Sequence, residues 1–168
     1  LTNSGRVADG EPLLIRSLDV KQRVFGREHR NTLTPRFNLG LARILRGDLD
    51  GALPYLREAA EIAPCALPPG HFQIAQYIEG YGACLLLLKR YDEAEPVLLD
   101  ALALMGESFP AGDTRVVAIA ERLRDLYVAP GAAERARDIE VRFAAIRSQA
   151  PPSTIREALD KAQPPSRE

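Results

Sequence analysis

Shifted by 42 residues against itself, the chain aligns without a gap. Pro12, Pro54 and Pro96 share a column, as do Leu14, Leu56 and Leu98; Ser17, Ala59 and Ala101; and Val20, Ile62 and Leu104. Gly5 and Gly47 share another, in which Lys89 stands third. The register continues through Ala52, Ala94 and Ala136, through Leu39, Tyr81 and Leu123, and through His29 and His71. A fixed period of this length means that one supersecondary unit recurs and buries its apolar face against its neighbours.

Within the stretch 38–64 the unit reads as two antiparallel helices joined at Gly47-Asp48. Small residues mark where they touch: Gly40 is expected to face Ala52, and Gly82 to face Ala94, because only small side chains let two helix backbones approach closely. Helices are expected at about 9–25, 31–46, 49–62, 70–88, 92–105, 112–128 and 132–147, with a short one over 154–162 after Pro151-Pro152. Asn31 or Thr32, Asp48 or Asp50, and Asp113 are the candidate caps, and Asp92 with Glu95 has the capping-box spacing. The three in-register prolines read as helix-start markers. Gly80, unlike Gly82, has no packing role in this scheme and is expected to leave backbone open on the concave face.

The Leu39-Gly40 pair followed by Leu49, Ala52, Leu56, Ala59 and Pro64 resembles the tetratricopeptide (TPR) signature. Gly82, Tyr91, Ala94, Leu98 and Ala101 repeat it. The long period, with extra residues around 25–29 and 67–71, is similar to the kinesin-light-chain-like type. Such arrays also resemble the C-terminal repeats of bacterial multidomain signalling proteins, including Ser/Thr kinases. The resemblance implies an all-α, right-handed α-α superhelix of about three and a half helical hairpins plus a C-terminal helix. Residues 1–150 form the array: a half unit (5–26) and units 27–64, 65–106 and 107–148. Residues 151–168 are expected to form a short capping helix and a disordered tail. Leu1 to Ser4 read as the end of a first helix, so further repeats are expected upstream.

Composition narrows the function classes. With 22 Lys+Arg against 23 Asp+Glu the net charge is −1, and the arginines are interspersed with acids, so neither nucleic acid nor an anionic membrane is indicated. The longest apolar run, 83–88, is far short of the roughly 20 residues that span a bilayer. No phosphate loop, HExxH, GxSxG or zinc-finger spacing is present, so no catalytic, cofactor-binding or metal residue is assigned. His29 and His71 recur in inter-unit turns and read as turn-stabilising groups. Cys65 and Cys84 form no CxxC and read as packing residues in a cytoplasmic protein.

Surface recognition is left. In a TPR-like superhelix the first helix of each unit lines the concave groove. The register assigns Thr34, Phe37, Asn38 and Leu41 to it, then Gln76, Glu79, Gly80 and Ala83, then Ala118, Glu121, Arg122 and Asp125. Ile44, Leu86 and Val128 extend the set. Asn38 matches an asparagine that kinesin-light-chain-like repeats present to a bound peptide; Gly80 and Arg122 take its place in the next units. The expectation is a non-enzymatic module that binds a protein or peptide through this groove, in the C-terminal part of a larger protein. The alternative is self-association or intramolecular docking, with a homodimer formed through the unpaired first helix.

Overall fold

A computed structural model describes residues 3–110 and 112–128, with side chains from Gly10 to Tyr127. Among these residues there are six helices: α1 (Asn3–Phe25), α2 (Arg30–Leu45), α3 (Leu49–Ala66), α4 (Phe72–Leu87), α5 (Tyr91–Ser108) and α6 (Thr114–Val128). The helices expected over 132–147 and 154–162 lie outside the described residues.

Each helix packs on the next in sequence, as short connections between antiparallel helices require. In addition α2 touches α4 and α4 touches α6, whereas α1, α3 and α5 make no such approach to one another. One layer is therefore drawn together and the other splayed, which curves the array with α2, α4 and α6 on its inner side. The 42-residue register is also a register of burial. Ala52 and Ala94, Leu56 and Leu98, Ala59 and Ala101, and Leu39 and Leu123 are all fully buried. Leu33, Leu56 and Tyr77 centre one core between α2, α3 and α4; Leu98, Ile119 and Leu123 centre the next between α4, α5 and α6. Leu53, Ile78, Tyr81 and Leu104 pack against both clusters, so the core runs on from unit to unit.

The close approaches differ in detail from expectation. A methyl group built on Gly40 would lie 2.5 Å from Leu56 Cγ, so the nearest side chain to that glycine is Leu56. Gly82 is filled in the same way by Leu98 and Val97. Gly80 leaves nothing open: the ring of Phe37 occupies the space a Cβ would need, with Cζ 2.9 Å away. It thus has the packing role that the sequence does not reveal.

Helix ends follow local chemistry more than glycine and proline placement. Gly47 (φ 79°) and Lys89 (φ 59°) both turn the chain in the left-handed region after a first helix. The equivalent Gly5 does not, because α1 runs straight through it: glycine permits such a turn without compelling it. Pro54 and Pro96 are the sixth residues of α3 and α5, just past the first turn, but Pro12 lies deep inside α1. Pro64 does not close α3, which continues to Ala66. A proline removes one N–H bond, and at these positions that loss does not end the helix.

The caps are also redistributed. His29 Nδ1 accepts from the Asn31 N–H at 3.2 Å, and His71 Nδ1 from the Gln73 N–H at 3.3 Å, so the two histidines are the N-caps of α2 and α4. Thr32 instead donates its hydroxyl to the carbonyls of Arg27 and His29. Asp48 caps α3 through the Gly51 N–H at 3.0 Å. At α5 the N-cap is Arg90, whose guanidinium pairs with Glu93, so the capping box expected from Asp92 and Glu95 is not the cap.

Candidate partner-binding face

On α2, residues 34, 38, 41 and 45 follow one another at helical spacing and form a single stripe. Thr34, Asn38, Leu41 and Leu45 are all exposed, Leu45 to 68%. The corresponding stripe on α4 is Gln76, Gly80, Ala83 and Leu87, and here only the two ends, Gln76 and Leu87, are exposed. On α6, Glu121 and Asp125 are exposed, while Ala118 and Arg122 are half-buried.

The twelve groove residues expected from sequence thus divide. Thr34, Asn38, Leu41, Gln76, Glu121 and Asp125 present accessible side chains on the inner layer. Phe37, Gly80 and Ala83 are buried: Phe37 sits edge-on to Tyr77, with centroids 5.1 Å apart, and its ring covers Gly80. Phe37 and Gly80 hold α2 against α4, and none of the three is open to a partner. Glu79 and Arg122 pair with each other across α4 and α6. Ile44 and Leu86 are half-buried against the core, and the side chain of Val128 lies outside the described residues. The close α2–α4 approach uses the middle of the stripe and leaves its ends free.

Leu45 and Leu87 are absent from the groove set that the register assigns. They are one period apart and lie one turn beyond Leu41 and Ala83, so the signal is present in the repeat. The inner face is therefore apolar at the C-terminal ends of α2 and α4 and polar at the N-terminal ends.

Ionic groups lock the array outside this face. Arg36 is fully buried; its Nε lies 3.0 Å from Glu58 Oε2 on α3, and Nη1 donates to Thr32 Oγ1 at 3.1 Å. Its Nη2 reaches the Arg27 carbonyl at 3.3 Å, and the Arg27 side chain returns to Glu58. Burial pushes the Arg36 guanidinium below its usual range, with Glu58 opposing that shift. The α1–α2 loop is thereby clipped to α3. On α1, Glu11 is buried and receives both Arg43 Nε of α2, at 3.0 Å, and the side chain of Arg46, the C-cap of α2.

Among the described residues no cluster of three His, Cys, Asp or Glu side chains is arranged to hold a metal ion. No described helix is long and apolar enough to cross a membrane. Cys84 is buried in the core, where desolvation raises its thiol pKa; Cys65 lies exposed on α3 and is not the packing residue expected.

The curved inner layer, the in-register cores and the glycine–leucine contacts define a TPR-like α-solenoid. Residues 1–64 match the family model for the tetratricopeptide repeat. Two structures of putative kinesin light chain TPR-like repeats from Podosopora anserina, one of them a point variant, align over 94% of this chain at 19% identity. Their TM-scores are 0.71 and 0.70, and 77% and 78% of those chains are covered. BtubC (BKLC) from P. vanneervenii aligns over 98% of this chain and 62% of its own, with TM-score 0.67 and 18% identity. No curated protein matches in sequence. The chain has the fold of a kinesin-light-chain-like TPR array, an architecture that generally serves protein–protein interaction.

Proposed function

We propose that this chain is a non-enzymatic docking scaffold that takes a peptide or helix of a partner protein on the face of α2, α4 and α6. The observation that carries this reading is the exposed stripe Thr34, Asn38, Leu41 and Leu45, joined at its apolar end by Leu87. A segment with an apolar anchor and flanking polar groups is complementary to it. The two free thiols favour a reducing, cytoplasmic setting, and the likeness to bacterial signalling-protein arrays favours a place in a larger protein.

The test is selection of peptides from a random displayed library on the immobilised chain. Binding is then measured to the wild type and to the double variant Leu41→Asp/Leu45→Asp. Leu45 is 68% exposed and Leu41 37%, so the double variant should remain folded with a modestly lower melting temperature while affinity falls about tenfold or more. Selected peptides that bind both forms alike would overturn the reading.

A second reading has its own support. Leu13, Val20 and Val24 lie on one face of α1 and are 69%, 50% and 66% exposed, an apolar stripe suited to self-association. Sedimentation over a concentration series, with Val24→Glu as comparison, decides it: a dimer that the substitution dissolves supports this reading, and a monomer at all concentrations removes it.

A further inference from the structure

The polar end of the inner face opens into a cleft of about 450 Å³ lined by Lys21, Arg30, Asn31, Thr34, Leu67, Pro68, His71, Gln73 and Tyr77. That is the size range of small-ligand sites. Its lining holds two cationic side chains and no carboxylate. The other basic groups of the array are mostly committed: Arg27, Arg36, Arg43, Arg46, Arg90, Arg115 and Arg122 all form ion pairs. Lys21 and Arg30 form none among the described residues.

Both cations also break the repeat. One period on, Lys21 becomes the fully buried Ala63 and Arg30 becomes Phe72. Arg30 is exposed and Lys21 half-buried, so packing excludes a charge at neither position and both cations are open to a ligand. The uncharged groups suit the same ligand. His71 Nδ1 accepts the Gln73 N–H, so in the neutral ring Nε2 carries the proton and is a donor. Asn31 and Gln73 contribute side-chain amides; Thr34 and Tyr77 contribute hydroxyls, 3.4 Å apart. The histidine caps already engage the backbone N–H groups of Asn31 and Gln73, so side chains, not helix ends, would do the holding.

We propose that this cleft binds an oxyanion, a carboxylate or phosphate group, with Lys21 and Arg30 as its charged contacts and the side chains of Asn31, Gln73 and His71 as further donors. Arg30 supplies a planar fork suited to two oxygens, and Lys21 adds a compact charge to the same lining. The proposal rests on the docking reading only for what carries the anion, namely the partner segment; the pocket itself is testable without a partner.

The experiment is a two-dimensional amide NMR titration of the 168-residue chain with inorganic phosphate and, separately, with acetate, in phosphate-free buffer at constant ionic strength set by chloride. The expected result is saturable movement of the Asn31 and Gln73 side-chain signals, with affinity reduced about tenfold by Lys21→Ala or Arg30→Ala and lost in the double variant. Saturation by both anions supports a site that a carboxylate satisfies; saturation by phosphate alone supports it with a phosphorylated partner as the source. Non-saturating shifts equal to those caused by added chloride overturn the proposal, as does saturation that survives the double substitution. Peptides that respond to Leu41→Asp/Leu45→Asp alongside a silent anion titration would leave docking standing and remove the cleft.

Discussion

Replacing Gly40 by alanine is a sensitive test of the glycine–leucine packing, because two effects of opposite sign act at one atom. In an unhindered helix the change is favourable by about 1 kcal/mol. Here the new methyl would stand 2.5 Å from Leu56 Cγ and 2.6 Å from its Cδ2, and Leu56 is fully buried, so any shift must displace its own core neighbours. Overpacking of this kind costs about 1–3 kcal/mol, so the net result is a loss of roughly 0–2 kcal/mol. Leu56→Ala alone should cost about 2–5 kcal/mol through the cavity it leaves. In that background the obstruction is gone, and Gly40→Ala should become stabilising by about 1 kcal/mol. Gly10, inside α1 with nothing within 4 Å of a built Cβ, is the internal control: Gly10→Ala should stabilise by about 0.5–1 kcal/mol. Urea unfolding followed by helical circular dichroism on the four forms of the cycle gives the coupling, provided the denaturant slope is constant across them. Stabilisation by Gly40→Ala in both backgrounds would refute the argument that Leu56 is what requires a glycine there.

Other expectations concern charge and backbone. Glu58→Ala strands the fully buried Arg36 without its carboxylate and should cost on the order of 3 kcal/mol, whereas Arg36→Met combined with Glu58→Leu should recover much of that loss in the same urea assay. Lys89→Gly should stabilise by about 1 kcal/mol, since a side chain at φ 59° bears a strain that glycine does not; an unchanged melt would show the strain to be absent. Asp113 is held at a pKa of about 2, below its ordinary 3.8, first by the Arg115 guanidinium and then by the Arg115 N–H. Its contribution to stability is therefore fully present above the ordinary carboxylate pKa and is lost as pH falls through about 2. Carboxyl-carbon NMR should show that midpoint, and Arg115→Gln should move it toward 3.8.

How much of this is legible in the sequence follows from what kind of residue carries each feature. Ala52, Leu56, Ala59 and their equivalents at 94, 98 and 101 identify themselves because burial recurs with the period, and the buried set follows the register. The histidines at 29 and 71 are recognisable as turn groups, yet their role as caps is not, since Asn31 and Thr32 are stronger cap formers by type. On the candidate face, the register places Asn38 and Leu41 on the exposed stripe, but it also counts Phe37 and Gly80 as open when one fills the other. A ring and a glycine 43 positions apart in sequence carry no local mark of being in contact.

The period, the helical hairpin and the small-residue contacts follow from the sequence alone, because they depend on spacings that each unit repeats. Where the units deviate, packing in three dimensions governs. It buries Arg36 beside Glu58, carries α1 straight through Gly5, and brings Lys21 from one helix into the same cleft as Arg30 and His71 from two other parts of the array. Each of these outcomes depends on distances between residues that no repeat spacing encodes. A repeat pattern fixes which residues are equivalent, and only packing fixes which of them meet.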